Sequence, residues 1–148
     1  MQRRRLLSTA MSTCAVLFAT SRARAAADGP SGAKLKVVYH LNEIEKVGFV
    51  LGNIQNHYDG VGGPDHVTIA LVVHGPALRA FTSGAATDIK SRLGHLSRAG
   101  LALAACGNTM KAQNLTLGDL LPGFTVAERG GVVRLAELQS QGYLYLRP

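Results

Sequence analysis

The sequence predicts an α/β fold built on a mostly parallel, five-stranded sheet. Strand-like apolar runs alternate with helix-period segments through residues 34–148. That alternation gives a sheet covered by helices on both faces. Two of the runs, Val67 to Val73 and Leu101 to Cys106, are almost wholly apolar, as strands buried on both faces are. No internal repeat, heptad pattern or low-complexity stretch competes with this reading.

Leu35 to Leu41 reads as the first strand. Asn42 with Glu45 three residues on has the form of a capping box. Ile44, Val47, Leu51 and Ile54 then recur at helical spacing, and the helix is expected to end near His57. Gly60 to Pro64 is a loop. Val67 to Val73 is the second strand. Thr87 to Ala99 is a helix with Ile89, Leu93 and Leu96 inward, stopped by Gly100. Leu101 to Cys106 is the third strand. Thr116 to Leu121 is expected to form a short helix, and Phe124 to Glu128 the fourth strand. Val132 to Gln141 is a helix with Val132, Leu135, Ala136 and Leu138 inward. Tyr143 to Leu146 closes the sheet.

The first residues belong to a different kind of segment. Arg3, Arg4 and Arg5 precede an uncharged stretch, Leu6 to Thr20, and Ala23-Arg24-Ala25 and Ala25-Ala26-Ala27 both fit a small-residue cleavage site. This is the order of a secretory signal peptide, placed at 1–25, with 26–33 a flexible leader before the domain at 34–148. The apolar stretch falls short of the roughly 20 residues that a membrane span needs. Arg3-Arg4-Arg5-Leu6-Leu7 has the twin-arginine form. The lipoprotein alternative at Cys14 is poor, because the apolar run continues past it. The expected product is periplasmic, with no membrane attachment after cleavage.

Cleavage changes the charge argument. The 148-residue chain has 16 basic and 9 acidic residues, a net charge of +7. Arg3, Arg4, Arg5, Arg22 and Arg24 leave with the signal, so the mature domain carries a net +2. No basic stripe remains to bind nucleic acid. Cys14 leaves as well, so Cys106 is a lone thiol in an oxidising compartment. It is either buried or reactive.

Sites in parallel sheets lie outside the carboxyl ends of the strands. That rule collects His40 and Asn42 from the first strand, His74 and Gly75 from the second, Cys106, Asn108 and Thr109 from the third, and Gly130 and Gly131 after the fourth. If a helical turn begins at Asn108 or Thr109, its free N–H groups lie near the sulfur and favour the thiolate. The competing reading is a buried structural cysteine. His74 is the best proton partner for Cys106, or a holder of an anion; alternatively it bonds loop backbone. His40 is a weaker candidate. Capping accounts for Asn42, and Asn108 and Thr109 are caps by default. His57 and His66 flank a loop and are expected to be solvated. Gly130 and Gly131 form a turn whose N–H groups suit an anion.

Several chemistries have no support. Neither GxxxxGK[ST] nor GxGxxG after the first strand is present. No Cys/His spacing matches a zinc site, so no metal and no cofactor is expected. CxxC and GxSxG are also absent.

Taken together, Lys36 to Asn42, Asn53 to His57, Val72 to Gly75, Cys106 to Met110, Gly131 to Val133 and Leu138 to Tyr143 make the chain resemble the DsrE/DsrF-like family, which includes the TusD-like sulfur-relay proteins. The ending through Tyr145 and Pro148 looks like an exported branch of that family. The resemblance implies a three-layer α/β/α fold, a homotrimer or homohexamer, and a persulfide carried at the position of Cys106. The implied partners are a sulfane-sulfur donor and a thiol acceptor. Export is a departure, since the sulfur-relay proteins act in the cytoplasm. The alternative is a non-catalytic oligomeric module that binds a small anion or ligand, with Cys106 buried.

Overall fold

The computed structural model describes residues 34–148, and the expected signal peptide and leader lie outside the described residues. Five strands form one sheet: β1 (Leu35–Leu41), β2 (Val67–Val73), β3 (Ala102–Cys106), β4 (Phe124–Ala127) and β5 (Leu144–Leu146). Their order is β4-β3-β2-β1-β5, and every pairing is parallel. The most apolar strand, β2, lies at the centre, with six of its seven residues buried. Among the described residues no helix is long and apolar enough to cross a membrane.

Parallel neighbours need crossovers. These are α1 (Val47–Gly60), α2 (Thr87–Arg98), the short α3 (Gly107–Ala112) and α4 (Gly131–Ser140). Side chains alternate between the two faces of each strand. On one face Val37, Tyr39, Leu41, Ile69, Leu71, Val73, Leu103 and Ala105 join Val50, Leu51 and Ile54 of α1 and Ile89, Leu93 and Leu96 of α2 in the main core. On the other, Val38, Ala70, Val72 and Ala104 meet only Leu135 and Leu138 of α4, with Tyr143 alongside. The topology accounts for this asymmetry. The connection from β4 to β5 runs between opposite edges of the sheet, so α4 crosses the strands between them.

Four local expectations are corrected. Asn42 makes no capping box; the chain enters a 3-10 turn at Ile44–Lys46 with no side-chain cap, and the Asn42 side-chain Oδ1 accepts from Arg147 instead. A capping box does occur at Thr116 with Asp119, but it opens a three-residue turn, Leu117–Asp119, in place of the longer helix expected there. Val132 is 68% exposed and Ala136 is exposed too. Gly131 is the residue turned toward the strand ends, and its successor is rotated about 100° away around the helix. Finally, Gly75–Phe81 forms a 3-10 helix that sequence reasoning left unassigned, and it buries Ala77, Leu78 and Phe81.

Candidate functional site at the carboxyl edge of the sheet

Cys106 is the last residue of β3 and sits next to the start of α3. Its register partner on β4 is Ala127. The turn into α3 is tight: a Cβ on Gly107 would lie 3.1 Å from the Ala127 carbonyl oxygen. The start of α4 approaches equally closely. A Cβ on Gly131 would lie 3.2 Å from the Cys106 Cβ and 3.3 Å from the His74 Cβ. A side chain at position 131 would press on both, so glycine suits the point where α4 begins between these two residues. Gly130 before it has φ of +105°, and a Cβ there would come within 2.8 Å of the Asn108 amide nitrogen. The glycine pair therefore answers to both backbone conformation and space.

These approaches surround the sulfur with donors. Cys106 is 6% exposed. Burial alone pushes its pKa up, but the Thr109 hydroxyl and the backbone N–H groups of Thr109, Gly131 and Asn108 all bond the sulfur. The net result lies below the ordinary thiol value. Thr109 is itself held in place. Its Oγ1 accepts the Gly75 N–H at 3.0 Å, which leaves its own proton for the sulfur. The Gly75 carbonyl in turn accepts the Gln113 amide at 2.9 Å.

His74 points elsewhere. Its Nε2 meets Nε2 of His40 at 2.5 Å, with the rings stacked at 4.7 Å between centroids. Nδ1 of His40 bonds the Tyr145 hydroxyl at 2.6 Å. Burial, followed by the His74 and Arg147 charges, lowers the His40 pKa to about 4, while Glu43 opposes the shift. Burial and then Arg147 also lower that of His74. Both rings are therefore neutral near neutral pH. Arg147 is fixed by the Asn42 side chain at 3.1 Å and the Glu43 carboxylate at 2.9 Å.

The residues expected at this edge thus fall into two adjoining groups. Cys106, Asn108, Thr109, Gly75, Gly130 and Gly131 build the sulfur cradle. His40, His74 and Asn42 build a cross-strand polar row. Tyr145, Arg147 and Gln113 were missed. The signal for Tyr145 was its alternation with apolar neighbours in the last strand, but β5 pairs with β1, and that adjacency is invisible in sequence. His57 also departs from expectation: it is half-buried and bonds the Tyr39 hydroxyl at 2.9 Å, whereas His66 is exposed. Beside the cradle, a groove of about 310 Å³ runs between β4 and α4, lined by Thr125, Ala127, Arg129, Val133, Arg134 and Glu137.

The DsrE/DsrF-like family profile matches residues 33–148. The chain belongs to this family. No curated protein matches it. Among solved structures it is similar to MTH1491, a protein of unknown function from Methanobacterium thermoautotrophicum, at 24% identity and a TM-score of 0.69 over 78% of this chain and all of that one. It is also similar to BT1422 from Bacteroides thetaiotaomicron, a conserved protein of unknown function, at 15% identity and 0.60 over 76% of this chain and 94% of the other. A third likeness is to the ychN protein of E. coli, at 12% identity and 0.56 over 78% of this chain and 100% of that one. These likenesses establish the shared α/β fold with its all-parallel five-stranded sheet.

Proposed function

We propose that this member of the DsrE/DsrF-like family is an exported sulfur carrier or sulfurtransferase that holds sulfane sulfur as a persulfide on Cys106. The observation that carries the reading is the set of donors around the sulfur: the Thr109 hydroxyl and three backbone N–H groups. Such a set stabilises a thiolate, which is the nucleophilic form. It also suits the terminal anion of a persulfide.

The chemistry balances without a cofactor. The Cys106 thiolate attacks the outer sulfur of a sulfane donor such as thiosulfate. A Cys–S–S⁻ bond forms, the donor S–S bond breaks, and sulfite leaves with its electron pair. An acceptor thiolate then attacks the outer sulfur and releases the Cys106 thiolate, as in thiol–disulfide exchange. Mass spectrometry after incubation with polysulfide tests the first half. One added sulfur at Cys106, absent in Cys106→Ser, supports the reading; an unloaded wild-type protein contradicts it.

The near-complete burial of Cys106 favours a second reading, a non-catalytic binding module. Alkylation separates the two, since a native thiol that resists iodoacetamide marks burial. For assembly we propose a homotrimer, or a hexamer built from it. Leu144, Tyr145 and Leu146 are 55%, 40% and 38% exposed on an edge strand, which calls for a cover. A monomer in light scattering at micromolar concentration contradicts this. The arginine-rich start and small-residue site at residues 1–25 support export to the periplasm. An intact Met1 on the exported protein contradicts that.

A further inference from the structure

We propose that Gln113 is a positioning residue for the Cys106 site: by clamping Gly75 it fixes the Thr109 hydroxyl as a donor to the sulfur. The proposal rests on the reading of Cys106 as a reactive thiol, and adds to it a residue one helical turn beyond Thr109. Three of the four donors around the sulfur, the Thr109 hydroxyl and the N–H groups of Thr109 and Asn108, belong to α3. That helix has only six residues. A helix so short has little stability of its own, so contacts outside it must fix its position. Met110 supplies an apolar one in the main core. Two polar ones converge on a single residue. The Gly75 N–H donates to Thr109 Oγ1 at 3.0 Å, and the Gly75 carbonyl accepts from Gln113 Nε2 at 2.9 Å. Thr109 and Gln113 are themselves joined, the Gln113 N–H donating to the Thr109 carbonyl at 3.0 Å. Asn114 then takes a φ of +53° and ends the helix directly behind Gln113.

The clamp sets a direction. Gly75 has a φ of +59°, in the region where a glycine backbone is least confined. With its carbonyl tied to Gln113, it presents its N–H to Thr109. That bond occupies a lone pair of the hydroxyl and turns the hydroxyl proton toward Cys106. Without Gln113 the carbonyl loses its partner, Gly75 can swing, and the hydroxyl loses its fixed orientation. The turn after β2 survives, because the Ala77 N–H still donates to the Asn42 carbonyl at 3.2 Å.

The amide also carries a cost that separates this role from packing. Gln113 Oε1 is buried with no hydrogen-bond partner among the described residues. An unpaired buried acceptor is destabilising, whereas an apolar side chain of the same shape is close to neutral. Packing alone gives no reason for an amide here; the bond to Gly75 does.

The test is Gln113→Leu in the mature protein, where Cys106 is the one cysteine left. Its titration is read by iodoacetamide labelling against pH and by thiolate ultraviolet absorbance, which needs no reagent to reach the sulfur. The titratable groups on the flanking elements are His74 after β2, Lys111 on α3, Glu128 and Arg129 after β4, and Arg134 and Glu137 on α4, and the substitution alters none of them. We expect the thiol midpoint to rise toward the ordinary value and labelling below it to slow several-fold. The urea midpoint should be no lower than wild type. Added to Thr109→Val, Gln113→Leu should raise the thiol midpoint no further, because both act through one hydroxyl. An unmoved thiol midpoint overturns the proposal, and with a lowered urea midpoint it marks a merely structural bond. Additive rises in the double variant overturn it too. If Gln113→Leu does not fold, proton exchange at the wild-type Gln113 amide decides: a protected Nε2 proton supports the clamp, and exchange at the solvent rate overturns it. If the thiol moves as expected but wild-type protein takes up no sulfur from polysulfide, the carrier reading falls and the positioning role stands.

Discussion

Thr109 makes two bonds through one oxygen. It accepts from Gly75 and donates to Cys106. Valine has nearly the same shape and can do neither. A hydrogen bond to a charged group is worth about 1.5–3 kcal/mol, so Thr109→Val should raise the Cys106 pKa from its lowered position toward the ordinary thiol value. Iodoacetamide labelling rates against pH measure this, and an unchanged midpoint contradicts it. At this scale the sequence was partly legible. Cys106 stood out because it ends an apolar run and is followed by glycine. Thr109 read only as a cap, since its bond to Gly75 joins residues 34 apart in sequence. Tyr145 and Arg147 stayed hidden for the same reason at longer range: their partners, His40 and Asn42, are each 105 residues away.

Among the elements, α4 has the most exacting task. It covers one face of the sheet alone, through Leu135 and Leu138. Leu138 is 2% exposed, and its loss leaves a cavity that no second helix can close. Leu138→Ala should cost about 2–5 kcal/mol in urea denaturation. Val132→Ala, at 68% exposure, should cost under about 0.5 kcal/mol to the monomer. Equal costs would contradict the assigned orientation of α4. The apolar periodicity revealed that helix but not its rotation, because Gly131 sets the rotation by its close approach to Cys106 and His74. The strands were easier. β1 and β2 have the boundaries their composition implies, since continuous apolar runs in a central sheet leave little ambiguity. The 3-10 helix at Gly75–Phe81 was missed because Pro76 reads first as a loop signal, although Ala77, Leu78 and Phe81 supply an inward face.

The whole molecule should respond to pH through the polar row. His40 titrates at about 4 in the fold and near 6.5 when unfolded. Between those values the unfolded chain binds more protons, so stability falls as pH is lowered through that window. His74 shifts in the same direction. Allowing for solvent screening, the His40 contribution is on the order of 1–2 kcal/mol. His40→Gln should flatten the slope of stability between pH 6.5 and 4, measured by urea unfolding at a series of pH values. A slope equal to wild type contradicts the assignment. The lowered Cys106 pKa acts on the alkaline side, where stability rises with pH from the folded to the unfolded thiol value.

Sheet, layers and parallel direction were all legible at this scale because α/β alternation leaves few topologies. The strand order was not, and it is what places β5 beside β1 and completes the site. Discharge of loaded protein decides whether Cys106 carries sulfur. Persulfidated protein is mixed with a small thiol acceptor, and the sulfur on Cys106 and on the acceptor is followed together. Loss from Cys106 should be matched one for one by acceptor persulfide, with no loading in Cys106→Ser. Sulfur that never enters, or that enters and stays on Cys106, contradicts it.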